Sequence, residues 1–206
     1  NDTETRNFMN IVVLCGGSST ERDVSLVTGE QVCRALRETG NNAVLLDAFI
    51  GHEDFDIKKS FENDMYSIED ELEYIKTHSK NFEELKNSRK DFFGPCVLEA
   101  CKTADIVFLA LHGMNGEDGR VQASFDLMGI RYTGSDYLGS AIAMNKTMAK
   151  EIFKINNVPV VKSFSIKRND IKKSIYEYDL EYPVVVKTNC GGSSIGVYII
   201  GRASDR

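Results

Sequence analysis

Three kinds of side chain in this sequence stand where they can do chemistry: a carboxylate beside a glycine-rich turn, lysines next to apolar segments, and a histidine closing an apolar run. The carboxylate is Glu21, in Gly16-Gly17-Ser18-Ser19-Thr20-Glu21-Arg22-Asp23-Val24-Ser25-Leu26. A Gly/Ser turn that leaves an apolar run and feeds a helix gathers N–H groups and polar side chains at the carboxyl end of a strand. Open α/β sheets bind their ligands there. The same composition describes an ordinary strand-to-helix turn with a capping Ser or Thr. Taken alone, the segment points first to an anion such as phosphate.

Lys187 ends the apolar run Val184-Val185-Val186. A buried charge there is costly without an anionic partner, and a lysine snorkelling to the surface fits the position as well. Lys146 stands at an expected helix start, where the dipole disfavours cations but from which the side chain can reach an anion bound beside that end. A second glycine-rich segment, Gly191-Gly192-Ser193-Ser194-Ile195-Gly196, follows Lys187. It lacks the Lys-Ser/Thr ending of a P-loop. It contains the G-x-S-x-G string of a nucleophile elbow, but strands are expected on both sides and no acid and histidine follow in order, which disfavours a serine hydrolase. A lid whose N–H groups close over phosphates suits the composition, set against a plain hairpin tip. Of the histidines at 52, 78 and 112, only His112 closes an apolar strand. Strand-end placement favours a site residue over a histidine buried for packing.

These residues need a scaffold, and the hydrophobic pattern supplies an α/β one. Phe8-Met9-Asn10-Ile11-Val12-Val13-Leu14-Cys15 reads as a buried strand, residues 23–39 as a helix with an apolar stripe at Val24, Val27, Val32, Ala35 and Leu36, and Ala43-Val44-Leu45-Leu46 as a second strand. Strand, helix and strand in so few residues make a βαβ unit with a parallel pair. Residues 51–95 are dense in charge, and Ile68, Leu72, Ile75, Phe82 and Leu85 predict one amphipathic helix over 67–86, an insertion or a dimer-contact element. The α/β rhythm resumes with a strand over 105–111, a helix over 120–128 closed by Gly129, a strand over 130–133, and helices over 137–143 and 146–155. Residues 158–166 and 183–187 are β-rich with a charged helical stretch between them, and 197–200 completes an antiparallel hairpin through the Gly/Ser loop. A domain boundary near 135–145 follows, giving domains over 9–137 and 138–206.

Composition narrows the class. The 206 residues are 42% hydrophobic and 27% charged, ordinary for a globular protein. A net charge of -6 and the absence of a basic stripe exclude a nucleic-acid surface. No apolar stretch reaches membrane-spanning length, so neither membrane nor secretion is indicated and a cytoplasmic protein is expected. The five cysteines lack zinc-site spacing and read as buried free thiols. Residues 1–8 read as a frayed or tag-like start.

Taken in order, the segment Gly16 to Leu26, Ala110-Leu111-His112-Gly113, Gly116-Glu117-Asp118-Gly119, Tyr132-Thr133-Gly134-Ser135, Met144-Asn145-Lys146, Pro183-Val184-Val185-Val186-Lys187 and Gly192-Ser193-Ser194-Ile195-Gly196 resemble the D-alanine–D-alanine ligases. The resemblance implies a Rossmann-like, pre-ATP-grasp parallel-sheet domain followed by the small α+β central subdomain of an ATP-grasp fold, with the C-terminal ATP-grasp part absent. It implies a two-step ligation, in which ATP phosphorylates the first D-alanine and the amine of the second attacks the acylphosphate. By motif, Glu21 would anchor the first ammonium, His112 would lie beside the carboxylate, and Val24 and Ser25 would complete the amino-acid site. Lys146, Lys187, Ser193 and Ser194 would bind ATP, with Ser193 also part of the loop that seals the site. Magnesium ligands are expected beyond residue 206, a homodimer is the expected assembly, and a chain ending at Arg206 is expected not to ligate. The sequence departs from the family pattern at Gly191, Thr188 and Asn145, where Glu, Pro and Asp are common. A D-alanyl-D-serine or D-alanyl-D-lactate ligase, or a non-catalytic binding module, are the alternatives. The resemblance moves the first glycine turn from a phosphate to the amino acid.

Overall fold

The computed structural model describes residues 8–62, 65–170, 175–192 and 196–201. Its first sheet has three parallel strands in the order β2-β1-β3, with β1 Asn10–Cys15 central, β2 Asn42–Asp47 and β3 Ile106–Leu109 on either side. The two-residue period of a strand sends alternate side chains to opposite faces, and because both faces are covered the strands read as continuous apolar runs. Val12, Leu14, Val44, Leu46 and Val107 pack with Val97 and Ala100 of helix Val97–Thr103 and with Val121 and Phe125 of helix Arg120–Met128. Ile11, Val13, Cys15, Ala43 and Leu45 pack on the other face with Cys33 of α1, Arg22–Glu38. Residues 130–133 are not a strand. They make a single parallel bridge, Val107 to Tyr132, because Gly129 and Gly134 turn the chain away on both sides with φ of +68° and +103°.

Helix α1 differs from its expected stripe. Its fully buried line is Ser25, Gly29 and Cys33, four residues apart; Val32 and Leu36 of the expected stripe pack partly buried beside it with Leu26, whereas Val24, Val27 and Ala35 are exposed. Small residues win because the helix sits close: a Cβ on Gly29 would stand 2.5 Å from the Cys15 Cβ. The single helix expected over 67–86 is two. After a four-residue helix α2, Ile57–Ser60, α3 runs Ile68–His78 and α4 runs Phe82–Ser88, with a 3-10 turn at Ser79–Asn81. Ser67 caps α3 by accepting from the Asp70 N–H, and Glu69, Asp70 and Glu71 suit the positive end of the dipole. Ser79 ends it, its hydroxyl donating to the Ile75 carbonyl at 2.7 Å. The break tucks the Phe82 ring edge-on against Phe49.

Numbering Val97–Thr103 as α5 and Arg120–Met128 as α6, the chain continues through α7 Tyr137–Met144 and α8 Lys146–Ile155 to a second sheet. That sheet is the expected antiparallel hairpin, β4 Val184–Val186 with β5 Tyr198–Ile200. Residues 158–166 form no strand, since no neighbouring chain offers them a ladder; of the charged stretch after them, the described residues make 3-10 turns at Arg168–Asp170 and Ile175–Tyr178, and residues 171–174 lie outside the described residues. The cysteines are free, but Cys190 is exposed and Cys96 half-buried, so only Cys15, Cys33 and Cys101 fit the buried reading. Among the described residues no helix is long and apolar enough to cross a membrane. Residues 1–7 lie outside the described residues.

Candidate functional site

The site begins where β1 ends. Gly16 adopts φ of +69°, and a Cβ there would fall 2.0 Å from Asp47 Oδ2, so the turn needs glycine for both conformation and space. The turn is then pinned to the end of β3: Ser19 Oγ donates to the His112 carbonyl at 2.7 Å and accepts from the Glu21 N–H at 3.1 Å. Glu21 occupies the cap position of α1 without spending its side chain on a cap. Its carboxylate lies instead between two glycines of distant segments. A Cβ on Gly113 or on Gly192 would stand 2.6 Å from Glu21 Oε2. Among the described residues no group donates a hydrogen bond to that carboxylate. It is an acceptor held in a narrow, glycine-walled slot, suited to a cation that brings its own donors, such as an ammonium.

His112 is oriented through its Nε2. The Thr28 hydroxyl gives its hydrogen to the Val24 carbonyl at 2.9 Å, so in the 3.1 Å contact between Thr28 Oγ1 and His112 Nε2 the ring supplies the hydrogen. Nδ1 then faces Glu117 Oε1 at 4.0 Å, while Glu117 Oε2 accepts from the Gly113 N–H. The two neighbours expected to join the amino-acid site are placed differently. The Ser25 hydroxyl is buried and donates to the Ala110 carbonyl at 2.8 Å, tying α1 to the segment after β3. The Val24 side chain is 54% exposed, and its carbonyl orients Thr28.

The second unit meets the first where Gly192 stands against Glu21, and contacts within the second unit hold that segment. Lys146 Nζ donates to the Gly191 carbonyl at 2.7 Å, and Asn145 bridges Cys190. Asn189 clasps the start of α8: its Oδ1 accepts from the Thr147 N–H and hydroxyl, and its Nδ2 donates to Asn145 Oδ1. Lys187 lies at the exposed end of β4. Val185 and Val186 are themselves exposed, so burial does not force an anionic partner on Lys187 as the apolar run implies. A third cation joins the group: the Lys150 ammonium is held below its ordinary pKa, first by partial desolvation and then by the positive charges of Lys187 and Lys154. Mutually repelling cations favour a polyanion between them. Ser193 and Ser194 lie outside the described residues.

Sequence reasoning gave no role to Thr28, Lys150, Asn189 or the buried ion pair Arg22–Asp47, whose guanidinium and carboxylate stand 2.6 Å apart. Arg22 had one signal, a cation in the first turn of a helix, where the dipole opposes it unless a carboxylate compensates. Among the described residues no group of three or more His, Cys, Asp or Glu side chains is placed to hold a metal ion.

A parallel sheet that presents a carboxylate and a histidine beyond the ends of its strands, with Gly192 of the later segment against that carboxylate, defines an α/β protein with its candidate site at the carboxyl edge of the sheet. Comparison with known proteins gives the family. The family description "D-ala D-ala ligase N-terminus" matches residues 10–135, and the chain belongs to the D-alanine–D-alanine ligase family. It is 40% identical over 195 residues to the D-alanine–D-alanine ligase of Lacticaseibacillus casei, covering 93% of this chain and 54% of that protein. With the Pediococcus pentosaceus ligase it shares 42% identity over 197 residues, 93% of this chain and 55% of the relative. The crystal structure of the Bacillus anthracis D-alanine–D-alanine ligase complexed with ATP superposes with a TM-score of 0.64 at 26% identity, over 97% of this chain and 50% of that one. The chain thus spans about half the length of the relatives it matches.

Proposed function

We propose that this chain forms the amino-acid site and part of the nucleotide site of an ATP-dependent D-alanine–D-alanine ligase. The observation that carries the reading is the Glu21 carboxylate, held between Gly113 and Gly192 with no donor of its own among the described residues. An ammonium entering that slot gains a charge-assisted contact at a carboxylate already in position. His112, its Nε2–H directed at Thr28, stands at the same edge for the substrate carboxylate. Lys146, Lys150 and Lys187 supply the positive field in which the terminal phosphoryl of ATP passes to that carboxylate, after which the amine of a second D-alanine displaces phosphate. Ser193 and Ser194 belong to the loop proposed to close over the phosphates. In the same reading the protein is a cytoplasmic ATP-grasp ligase for peptidoglycan precursors and works as a homodimer. Magnesium would neutralise phosphate charge, and the described residues offer it no cluster of ligands.

The test is an NMR titration of the chain with D-alanine and, separately, L-alanine. D-alanine should bind saturably and shift the Glu21 and Gly113 amides. Glu21→Gln removes a charged hydrogen-bond partner worth about 1.5–3 kcal/mol, so its affinity should fall roughly ten- to a hundredfold. Equal binding by wild type and Glu21→Gln, or no D-alanine binding by wild type, defeats the proposal.

A further inference from the structure

We infer that Arg22 is a positioning residue through which the helical insertion sets the aim of Glu21; the inference rests on the proposed amino-acid site. The side chain is buried beneath the glycine turn and its planar fork reaches three separate pieces of chain. Nη1 donates to the Gly17 carbonyl at 2.8 Å, and Nη2 stands 2.6 Å from Asp47 Oδ2 at the end of β2. Nη2 also donates to Ser79 Oγ at 3.2 Å, at the break between α3 and α4. The guanidinium carbon lies 4.4 Å over the Phe82 ring, a cation–π contact with the first residue of α4. Asp47 completes the clamp, since its Oδ1 accepts from the Phe49 and Ile50 N–H groups and, at 3.5 Å, from the Gly17 N–H. Gly17 is therefore held at both polar atoms, carbonyl by Arg22 and N–H by Asp47.

A buried ion pair by itself is weak ground for a role beyond packing. The placement supplies what the pair alone does not. Arg22 follows Glu21 directly and opens α1, so any movement of its guanidinium is passed to the neighbouring backbone. Its partners Ser79 and Phe82 come from the insertion, which also brings the Phe92 ring beside Gly17, 3.6 Å from where a Cβ would be. A lysine would retain the charge but cannot span Gly17, Asp47 and Ser79 with one planar group. The insertion then tunes how rigidly the carboxylate is presented while contacting no ligand itself.

The experiment compares wild type, Arg22→Lys and Ser79→Ala by two readouts, hydrogen exchange of the amides from Ser18 to Glu21 and D-alanine affinity by NMR. Both variants should speed exchange in this turn relative to the Val12 and Val13 amides of β1, about tenfold or more for Arg22→Lys and less for Ser79→Ala. D-alanine affinity should fall in the same order. The inference is overturned if the turn keeps wild-type exchange in both variants, or if its exchange rises only in step with β1, which is general destabilisation. It is also overturned if exchange rises locally while D-alanine affinity stays within twofold. Should Arg22→Lys fail to fold, Ser79→Ala, which cuts only the tether to the insertion, decides by the same criteria. Absence of D-alanine binding in wild type would instead defeat the proposed substrate, leaving the exchange data to judge the clamp.

Discussion

At the scale of single residues, Glu71 is a carboxyl far from its ordinary state. It lies buried on α3, and burial first, then the negative charge of Asp47, push its pKa from 4.5 up to about 8. Its Oε2 is 2.8 Å from His52 Nδ1, and desolvation holds His52 below its own ordinary value. Both shifts favour a neutral pair, a protonated carboxyl donating to an imidazole nitrogen, over an ion pair. The ring of His52 stacks on Tyr74 at 3.7 Å, which fixes its orientation. A carboxyl whose pKa is higher folded than unfolded contributes stability that is complete below about 4.5 and is lost as pH rises to about 8. His52 acts oppositely: the unfolded chain takes up a proton that the folded one resists, so stability falls as pH drops below 6.5. Glu71→Gln keeps a donor toward His52 but cannot ionise. Its melting temperature should be close to wild type at mildly acidic pH, exceed it above pH 8, and change less in between. Parallel melting curves for the two proteins across that range would rule out a titrating Glu71.

At the scale of elements, α1 shows how a close approach outranks hydrophobicity. Gly29 faces the Cys15 Cβ at 2.5 Å and the Leu45 Cδ1 at 3.0 Å from where a Cβ would be. Replacing a mid-helix glycine with alanine gains about 1 kcal/mol of helix propensity. Overpacking a close-packed contact costs about 1–3 kcal/mol, and the Cys15 Cβ, fixed to a central strand, cannot move aside. Gly29→Ala should therefore lower the melting temperature by a few degrees, and because α1 starts at Glu21's neighbour, weaken D-alanine binding as well. A stabilised Gly29→Ala protein would show that the helix has room to spare. The same contact explains what sequence patterning conveys and what it does not. Strands β1 and β2 were legible because both faces of a parallel sheet are covered, so nearly every residue is apolar. The bounds of α6 and α8 were legible as well, with Gly119 and Gly129 around α6. The buried face of α1 was legible only at Val32 and Leu36, since a periodicity of large apolar residues cannot register a line of Ser25, Gly29 and Cys33. The break at Ser79 was hidden because Ile75 and Phe82 stay in helical phase across it. Among site residues, Glu21, His112, Lys146 and Lys187 announced themselves by charge or placement. Thr28 reaches His112, Asn189 reaches Asn145 and Thr147, and Asp47 pairs with Arg22, all partners far away in sequence that no local pattern encodes.

At the scale of the whole molecule, the two sheets differ in how much core they own. The buried apolar residues among those described all lie between Ile11 and Ile130, and Ser140 is the last buried residue of any kind. The second unit exposes Val158, Val161, Phe164, Val185, Val186, Tyr198 and Ile199 instead. Local opening costs least where few apolar contacts must be broken. Limited trypsin digestion should therefore cut first at exposed lysines such as Lys162, Lys167 and Lys187, leaving a resistant fragment that holds the parallel sheet through α6. The units nonetheless meet at the site, where Glu21 stands against Gly192, next to the Gly191 carbonyl that Lys146 holds within the second unit. A ligand that fills the slot between Gly113 and Gly192 touches both, and binding that favours the closed arrangement stabilises it by mass action. Saturating D-alanine should thus slow cleavage at Lys187, which flanks the glycine loop, more than cleavage at Lys167, while L-alanine should leave both rates unchanged. Equal protection at the two sites, or cleavage of the parallel-sheet unit ahead of the hairpin, would contradict a site closed from the second unit onto the first.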